Sequence, residues 1–524
     1  MGLFDRLMEA GAAVASTLAG RMQNWNFSVL GSVYLGPGHF LRLPPVQFMA
    51  VLFGGFIWVA LVGTAAWFLF HPRFAKSIKK GDYSSARILF SAFAFVYLLL
   101  GAYTTFSYPP TTDEPHYLAL TESLVSGSGV EVSRVYARKD FMKFYPSDTI
   151  DPHTVITREG EMYSQHTIGM PALIAPGYAL AGRWGTTATT ALLAAFLVAL
   201  FFLLGRKTGN GIRESARAAV LTGSTAPVLF ASGTVFTEIP AALLSALSLL
   251  ALGRGWTAPV CGALMPWLHP RYALLAVGLA VLDLGASRKK SGTIGKWLLA
   301  GAVSGVCFVA VYHGPALIAI LNVLTEKYPA RLDDLTAGNL AVVSFGNPLS
   351  GVLAKLFDRD FGWFPFSIWA LVLIPGVVLA VGKSKYSHRW FLVGAGTYFL
   401  LTCLFRNWSG SAYPGRTLIP ILPFIIGYLG LGIGWAGKVK NREKVFIWLV
   451  SISLLVSWLL TAVPVLRYGS GREWIKGKMG AVWWANPLSW FPSFLAPGNL
   501  ALVVSALILA GGMAWIIKGN RGKR

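Results

Sequence analysis

"ILFSAFAFVYLLLGAYTTFSYPPTTDEPHYLAL", residues 88–120, decides how this chain folds. Residues 88–107 carry no charge and no proline. That is long enough to cross the roughly 30 Å hydrocarbon core of a bilayer as a helix. Pro109 and Pro110 end the run, and Asp113, Glu114 and His116 crowd its edge. Charge at a membrane boundary costs free energy, so these three side chains need an explanation.

Outward from this stretch, apolar runs recur at about 47–70, 88–107, 186–205, 217–235, 239–253, 257–268, 271–286, 296–320, 365–382, 390–405, 418–436, 445–465 and 500–517. Of the 524 residues 55% are hydrophobic and 13% charged, against about 25% charged in soluble proteins. The expected fold class is an all-α polytopic membrane protein. It would have about 12–13 transmembrane helices and interfacial helices in its outer loops. Run 257–268 is too short to cross alone and reads, with 271–286, as a broken or re-entrant pair.

The net charge of +23 suggests nucleic acid only until its placement is seen. Lys and Arg cluster in short loops at 71–87, 206–217, 287–296, 383–389, 438–444 and 518–524. Alternating the spans puts all of these loops on one side, as cytoplasmic loops rich in Lys and Arg require. No nucleic-acid partner is expected. The long segments 108–185, 321–364 and 466–499 then face outward. Only Asp82, Glu214, Asp283 and Glu443 of the 22 acidic residues fall in or beside the basic loops. The expected location is the plasma or inner membrane, multi-pass, with the polar chemistry outside the cytoplasm. Cys261, Cys307 and Cys403 lie in apolar runs at no metal-site spacing and read as small buried hydrophobes. Residues 1–46 lack a signal-peptide pattern and read as an amphipathic leader.

Segment 108–185 holds nine carboxylates and three histidines. Thr111 and Glu114 have capping-box spacing. "DEPHYLALTESLV" (113–125) places Tyr117, Leu120, Leu124 and Val125 on one side, as in an interfacial helix. Asp113 and Glu114 sit at its positive end, where a carboxylate gains about 0.3–1 kcal/mol. That accounts for Glu114 better than for Asp113. In "PWLHPRYALL" (266–275), His269 and Arg271, followed by Tyr272, interrupt apolar sequence. A guanidinium fork there suits phosphate oxygens, with a snorkelling surface arginine as the simpler alternative. Glu238 in "TVFTEIPAAL" (234–243) reads first as a solvated turn residue. "FRNWSGSAYPGRTLIPILPF" (405–424) sets Trp408 beside Arg406 and Arg416. "LFDRDFGWFPFS" (356–367) carries Asp358, Arg359 and Asp360, for which a local ion pair suffices. His153 and His166 offer metal ligands alongside a carboxylate, at a spacing that matches no metal template. The cofactor is therefore left open, a divalent metal included. No P-loop, dinucleotide fingerprint, HExxH or supported GxSxG appears.

Taken in order, the motifs resemble the GT-C superfamily of polytopic glycosyltransferases. They resemble most the branch of protein O-mannosyltransferases and lipid A aminoarabinose transferases (glycosyltransferase family 39-like). The matching pieces are the span followed by "DEPHYLALTESLV", then "YSQHTIGMPALIAPGYALAG" (163–182), "TEIPAAL", "LMPWLHPRYALL", "LFDRDFGWFPFS" and "NWSGSAYPGRTLIPILPF". The resemblance implies a membrane enzyme that moves a sugar from a polyprenyl-phosphate donor to a glycan, lipid or protein acceptor, among membrane lipids, on the periplasmic or extracytoplasmic face. Asp113 matches the family's acidic catalytic position and Glu114 a second acid. Arg271 falls where a basic residue near the lipid phosphate is expected, and Arg416 is a further candidate. His116, His166, Glu238, His269, Tyr272 and Trp408 would line the substrate site. The resemblance divides the chain into a leader (1–46), an extra span and cytoplasmic loop (47–87), a catalytic module (88–435) with its first outer loop at 108–185, and C-terminal spans with an outer loop (436–524). The extra span and leader depart from the family pattern. So does His-Pro-Arg, where the better-known branch often has Lys.

The implied reaction is an inverting displacement at the anomeric carbon. Asp113 would be the general base, its pKa raised by desolvation, and Glu114 would orient it or the acceptor. Arg271, with His269 and Arg416, would neutralise the leaving phosphate. The alternatives are a transporter or lipid flippase, and a non-catalytic membrane subunit.

Overall fold

The computed structural model describes residues 82–312, 314–322, 330–331, 348–380, 392–404 and 412–468. The leader, the runs at 47–70 and 500–517, Arg406, Trp408 and the C-terminal outer segment beyond residue 468 lie outside the described residues.

The long helices are α1 (Asp82–Ser107), α2 (Glu114–Val125), α3 (Gly169–Lys207), α4 (Ile212–Ser224), α5 (Glu238–Ala251), α6 (Thr257–Leu268), α7 (Ala273–Ala286) and α8 (Lys290–Val311). They continue with α9 (Pro315–Asn322), α10 (Pro348–Phe357), α11 (Leu373–Ala380), α12 (Thr397–Leu404), α13 (Leu422–Ala436) and α14 (Lys440–Ala462). The chain is an all-α multi-pass membrane protein. Five helical stretches among the described residues are long and apolar enough to span a bilayer: α1, α3, α8, Arg416–Ala436 and α14. α3 is central, packing against α1, α4 and α5. Its helical geometry breaks at Ala181 and Gly182, so its first turns belong with segment 108–185. α1, α8 and α14 leave large apolar side chains uncovered, among them Phe95, Leu298, Val306 and Trp448. Surfaces of this kind suit lipid contact.

Four expectations change. Run 217–235 is not one helix. α4 stops at Ser224, Thr225 is extended, and helix resumes only for the turn Val228–Ala231. Pro227 is the cause, since proline lacks an N–H and disfavours helical geometry in the residue before it. α2 is not a half-exposed interfacial helix, because every residue from Glu114 to Ser123 is buried and only its last turn opens. The segment over it closes its polar face. Cys307 is exposed, because it lies on the uncovered surface of α8. A small sheet of order β2–β1–β3 also joins segments 108–185 and 321–364, which the apolar pattern did not announce. β1 (Thr154–Ile156) pairs antiparallel with β2 (Met162–Ser164) and parallel with β3 (Ala330–Arg331).

At the end that carries the basic loops, called the inner end, the charges complete local structure. Arg206 Nε meets Asp82 Oδ1 at 2.8 Å. Lys207 Nζ donates to the Leu249 and Leu250 carbonyls at the C-terminus of α5 (2.7 and 2.9 Å), where cations are favoured. Asp283 accepts from Gly253 N (2.6 Å) and Trp297 Nε1 (2.9 Å).

Candidate active site

Four helix starts converge at the end opposite the basic loops, called the outer end. Asp113 immediately precedes α2, and Glu238 is the first residue of α5. Arg271 lies in the 3₁₀ turn Pro270–Tyr272 between α6 and α7, and Arg416 opens the 3₁₀ turn Arg416–Ile421 before α13. Both carboxylates thus occupy the positive ends of helices. Gly415, with φ of 69°, takes a left-handed conformation that side chains resist, and its N–H donates to Phe361 O (2.9 Å). Arg416 is turned inward as a result.

The four side chains form one charged chain. Arg416 Nη2 donates to Asp113 Oδ2 (2.8 Å) and Arg416 Nε to Glu238 Oε1 (2.7 Å). The same Glu238 oxygen accepts from Arg271 Nη2 at 2.5 Å. Arg271 Nη2 also donates to Tyr272 Oη (3.0 Å), which lies 3.0 Å from Thr237 Oγ1. Arg416 is further held over the Phe236 ring, 4.1 Å from its centroid, a cation–π contact. Two positive and two negative charges balance, which is what makes their burial tolerable. Glu238 is wholly buried, whereas Asp113 keeps 28% and Arg271 17% of its side chain exposed. Among the described residues, Glu238 Oε2 and Arg271 Nε have no hydrogen-bond partner.

Beside Asp113 lie three histidines. The β1–β2 register, Thr154 opposite Ser164, continues outward as Gln165 N donates to His153 O (3.0 Å). It brings His153 Nδ1 within 3.2 Å of His166 Nε2. His116 stacks on His153 with ring centroids 3.7 Å apart, and its Nδ1 is 3.4 Å from Tyr136 Oη. Thr167 Oγ1 donates to Leu268 O (2.7 Å). A Cβ at Gly169 would run into the Trp267 carbonyl. The histidine hairpin is therefore docked directly on the turn that carries His269 and Arg271.

Burial sets the protonation states of this cluster. It pushes the His166 imidazole down to about 4, and lowers His153 and His116 as well, so all three are neutral at physiological pH. For Asp113 burial alone would raise the pKa. The charge and hydrogen bond of Arg416 outweigh it and hold the carboxyl well below the usual carboxylate range. The expectation of a raised Asp113 pKa is corrected accordingly: the carboxylate is paired, not merely desolvated.

Glu114 is buried and its pKa is pushed up by that burial. Its oxygens accept from Val235 N (2.7 Å) and Thr111 N (3.2 Å), so it staples the start of α2 to the unwound stretch before α5. The second of these is half of the expected capping box; Thr111 Oγ1 makes no hydrogen bond among the described residues. Glu238, expected first as a solvated turn residue, is instead the centre of the network, because both arginines reach it. His269 Nδ1 accepts from Arg271 N (3.2 Å) and shapes the turn. Asp358 is buried and its Oδ1 accepts from the amides of Asp360 and Phe361, while Arg359 and Asp360 form the local pair at 3.5 Å. Sequence reasoning missed Tyr136 and Lys355. Lys355 is buried with Nζ donating to Thr417 Oγ1 (2.8 Å), adjoining the arginines. A single lysine in "SGVLAKLF" looks like an exposed helix residue, so no signal marked it.

No family model matches this chain, and no curated protein matches it. Among solved structures it is similar to the crystal structure of ArnT from Cupriavidus metallidurans bound to undecaprenyl phosphate. The two share 14% identity and a TM-score of 0.42, over 75% of this chain and 79% of that one.

Proposed function

We propose that this chain is an integral-membrane glycosyltransferase. It moves a sugar from a polyprenyl-phosphate donor to an acceptor hydroxyl on the extracytoplasmic face, with inversion. The observation that carries this reading is the Asp113–Arg416–Glu238–Arg271 chain, at the end of the helices opposite the basic loops. The ordered motif set from residue 88 to 435 supports it.

The donor phosphate is an anion, and the cations of the charged chain are Arg271, part-exposed, and Arg416, buried behind it. Glu238 fixes both guanidinium groups, so little reorganisation is needed as negative charge develops on the leaving group. Arg416 divides its fork, with Nε on Glu238 and Nη2 on Asp113. When the phosphate takes Nη2, Asp113 loses the contact that suppresses its basicity and is ready for the acceptor's proton. Glu114 positions Asp113 through the backbone at the start of α2. His269 and Tyr272 complete the substrate side of the site, and His116 and His166 wall it.

The test is an assay with radiolabelled polyprenyl-phosphate sugars and the purified protein in detergent or liposomes. Consumption of the donor with a glycosylated product is expected. Donor moved across the bilayer but left intact would replace the reading with a lipid flippase, and neither outcome would leave a non-catalytic subunit.

A further inference from the structure

The histidine hairpin has a geometry that sugar transfer alone does not call for. His153, His166 and Asp113 each offer a ligand atom, and all three atoms lie within 4.8 Å of one another. His153 Nδ1 and His166 Nε2 are 3.2 Å apart. Two imidazoles on a tetrahedral zinc ion, with Zn–N of about 2.0–2.1 Å, hold their nitrogens about 3.3 Å apart. We infer that Asp113, His153 and His166 form a binding site for a divalent transition-metal cation of the zinc class.

Three further observations fit that assignment. The donor set, two imidazoles and a carboxylate, suits zinc, cobalt or iron rather than magnesium or calcium, which take oxygen ligands. Arg416 holds Asp113 by Oδ2, which leaves the other carboxylate oxygen for a cation. The ligands are also held by groups outside the set. His116 stacks on His153 with ring planes 17° apart, and the His153 and Gln165 backbones are hydrogen bonded. These contacts fix where the two imidazoles sit relative to each other. Three protein ligands leave a coordination position open, as in catalytic rather than structural zinc sites. What that position holds, an oxygen of the acceptor or of the donor phosphate, rests on the proposed transfer; the binding of the cation does not.

Cobalt(II) is the probe. The full-length protein, purified in detergent and stripped with chelator, is titrated with Co²⁺ and followed by its visible d–d absorption and by thermal unfolding. One equivalent is expected to saturate the band, to be displaced by Zn²⁺ and to raise the unfolding temperature. His153→Ala and His166→Ala should each weaken binding by at least about 100-fold, since even outer-shell changes cost about 10–100-fold. His116→Phe, which keeps the stack, should cost about tenfold, the low end of an outer-shell change. Absence of a saturable band in the wild type overturns the site whatever the variants do, and so does binding that survives His153→Ala and His166→Ala together. Co²⁺ binding without sugar transfer keeps the metal site and removes the proposed reaction. Transfer undiminished by chelator, in protein that binds no Co²⁺, does the reverse.

Discussion

The two ends of α5 handle charge in opposite ways. At its inner end, Lys207 closes the last carbonyls, and Asp82, Arg206 and Asp283 each satisfy a neighbour. At its outer end, one oxygen of Glu238 serves two arginines, while its second oxygen and Arg271 Nε go unused among the described residues. A buried polar atom left unsatisfied costs about 1–3 kcal/mol. The charges at the end with the basic loops finish the fold, whereas at the other end Arg271 Nε keeps an N–H that the fold does not use among the described residues.

That contrast can be broken most severely at Glu238. Glu238→Ala leaves two guanidinium groups side by side without a shared counter-charge and should cost about 3–5 kcal/mol, read as a large drop in unfolding temperature in detergent. Wild-type stability would mean that the four residues do not act as a unit. Arg416→Lys keeps the charge but loses the fork that spans Glu238 and Asp113. Sugar transfer should fall by about 100-fold with the protein still folded. Arg271→Ala should lower kcat/KM for the donor by about 10–100-fold, and an unchanged value would remove its phosphate role. The inner end supplies the control. Asp82→Asn breaks a partly exposed pair and should shift stability by less than about 1 kcal/mol, leaving transfer untouched. A large loss of transfer from that variant would erase the distinction between the ends.

Much of the scaffold was legible because membrane spans obey length and hydropathy, and α1, α3, α8, α13 and α14 fall on apolar runs. The break between α6 and α7 followed from the shortness of 257–268. The break at Pro227 was equally visible, but hydropathy outweighed the local proline signal. Within the site, Asp113, Glu238, Arg271 and Arg416 were each singled out, yet their connection was not legible: Arg416 contacts partners 303 and 178 residues away. The low pKa of Asp113 depends on that contact, so no local reading contains it. The histidine hairpin was within reach. "HTVITREGEMYSQH" (153–166) has β-branched residues before a turn at Gly160, a glycine with φ of 86°. In a chain this apolar, a hairpin is easily passed over.

The central claim rests on Asp113. Sugar transfer from a polyprenyl-phosphate donor by purified Asp113→Asn, compared with wild type at matched folded protein, tests it most directly. A fall of at least about 100-fold is predicted, the scale of a lost general base. Transfer within a few-fold of wild type would contradict the account.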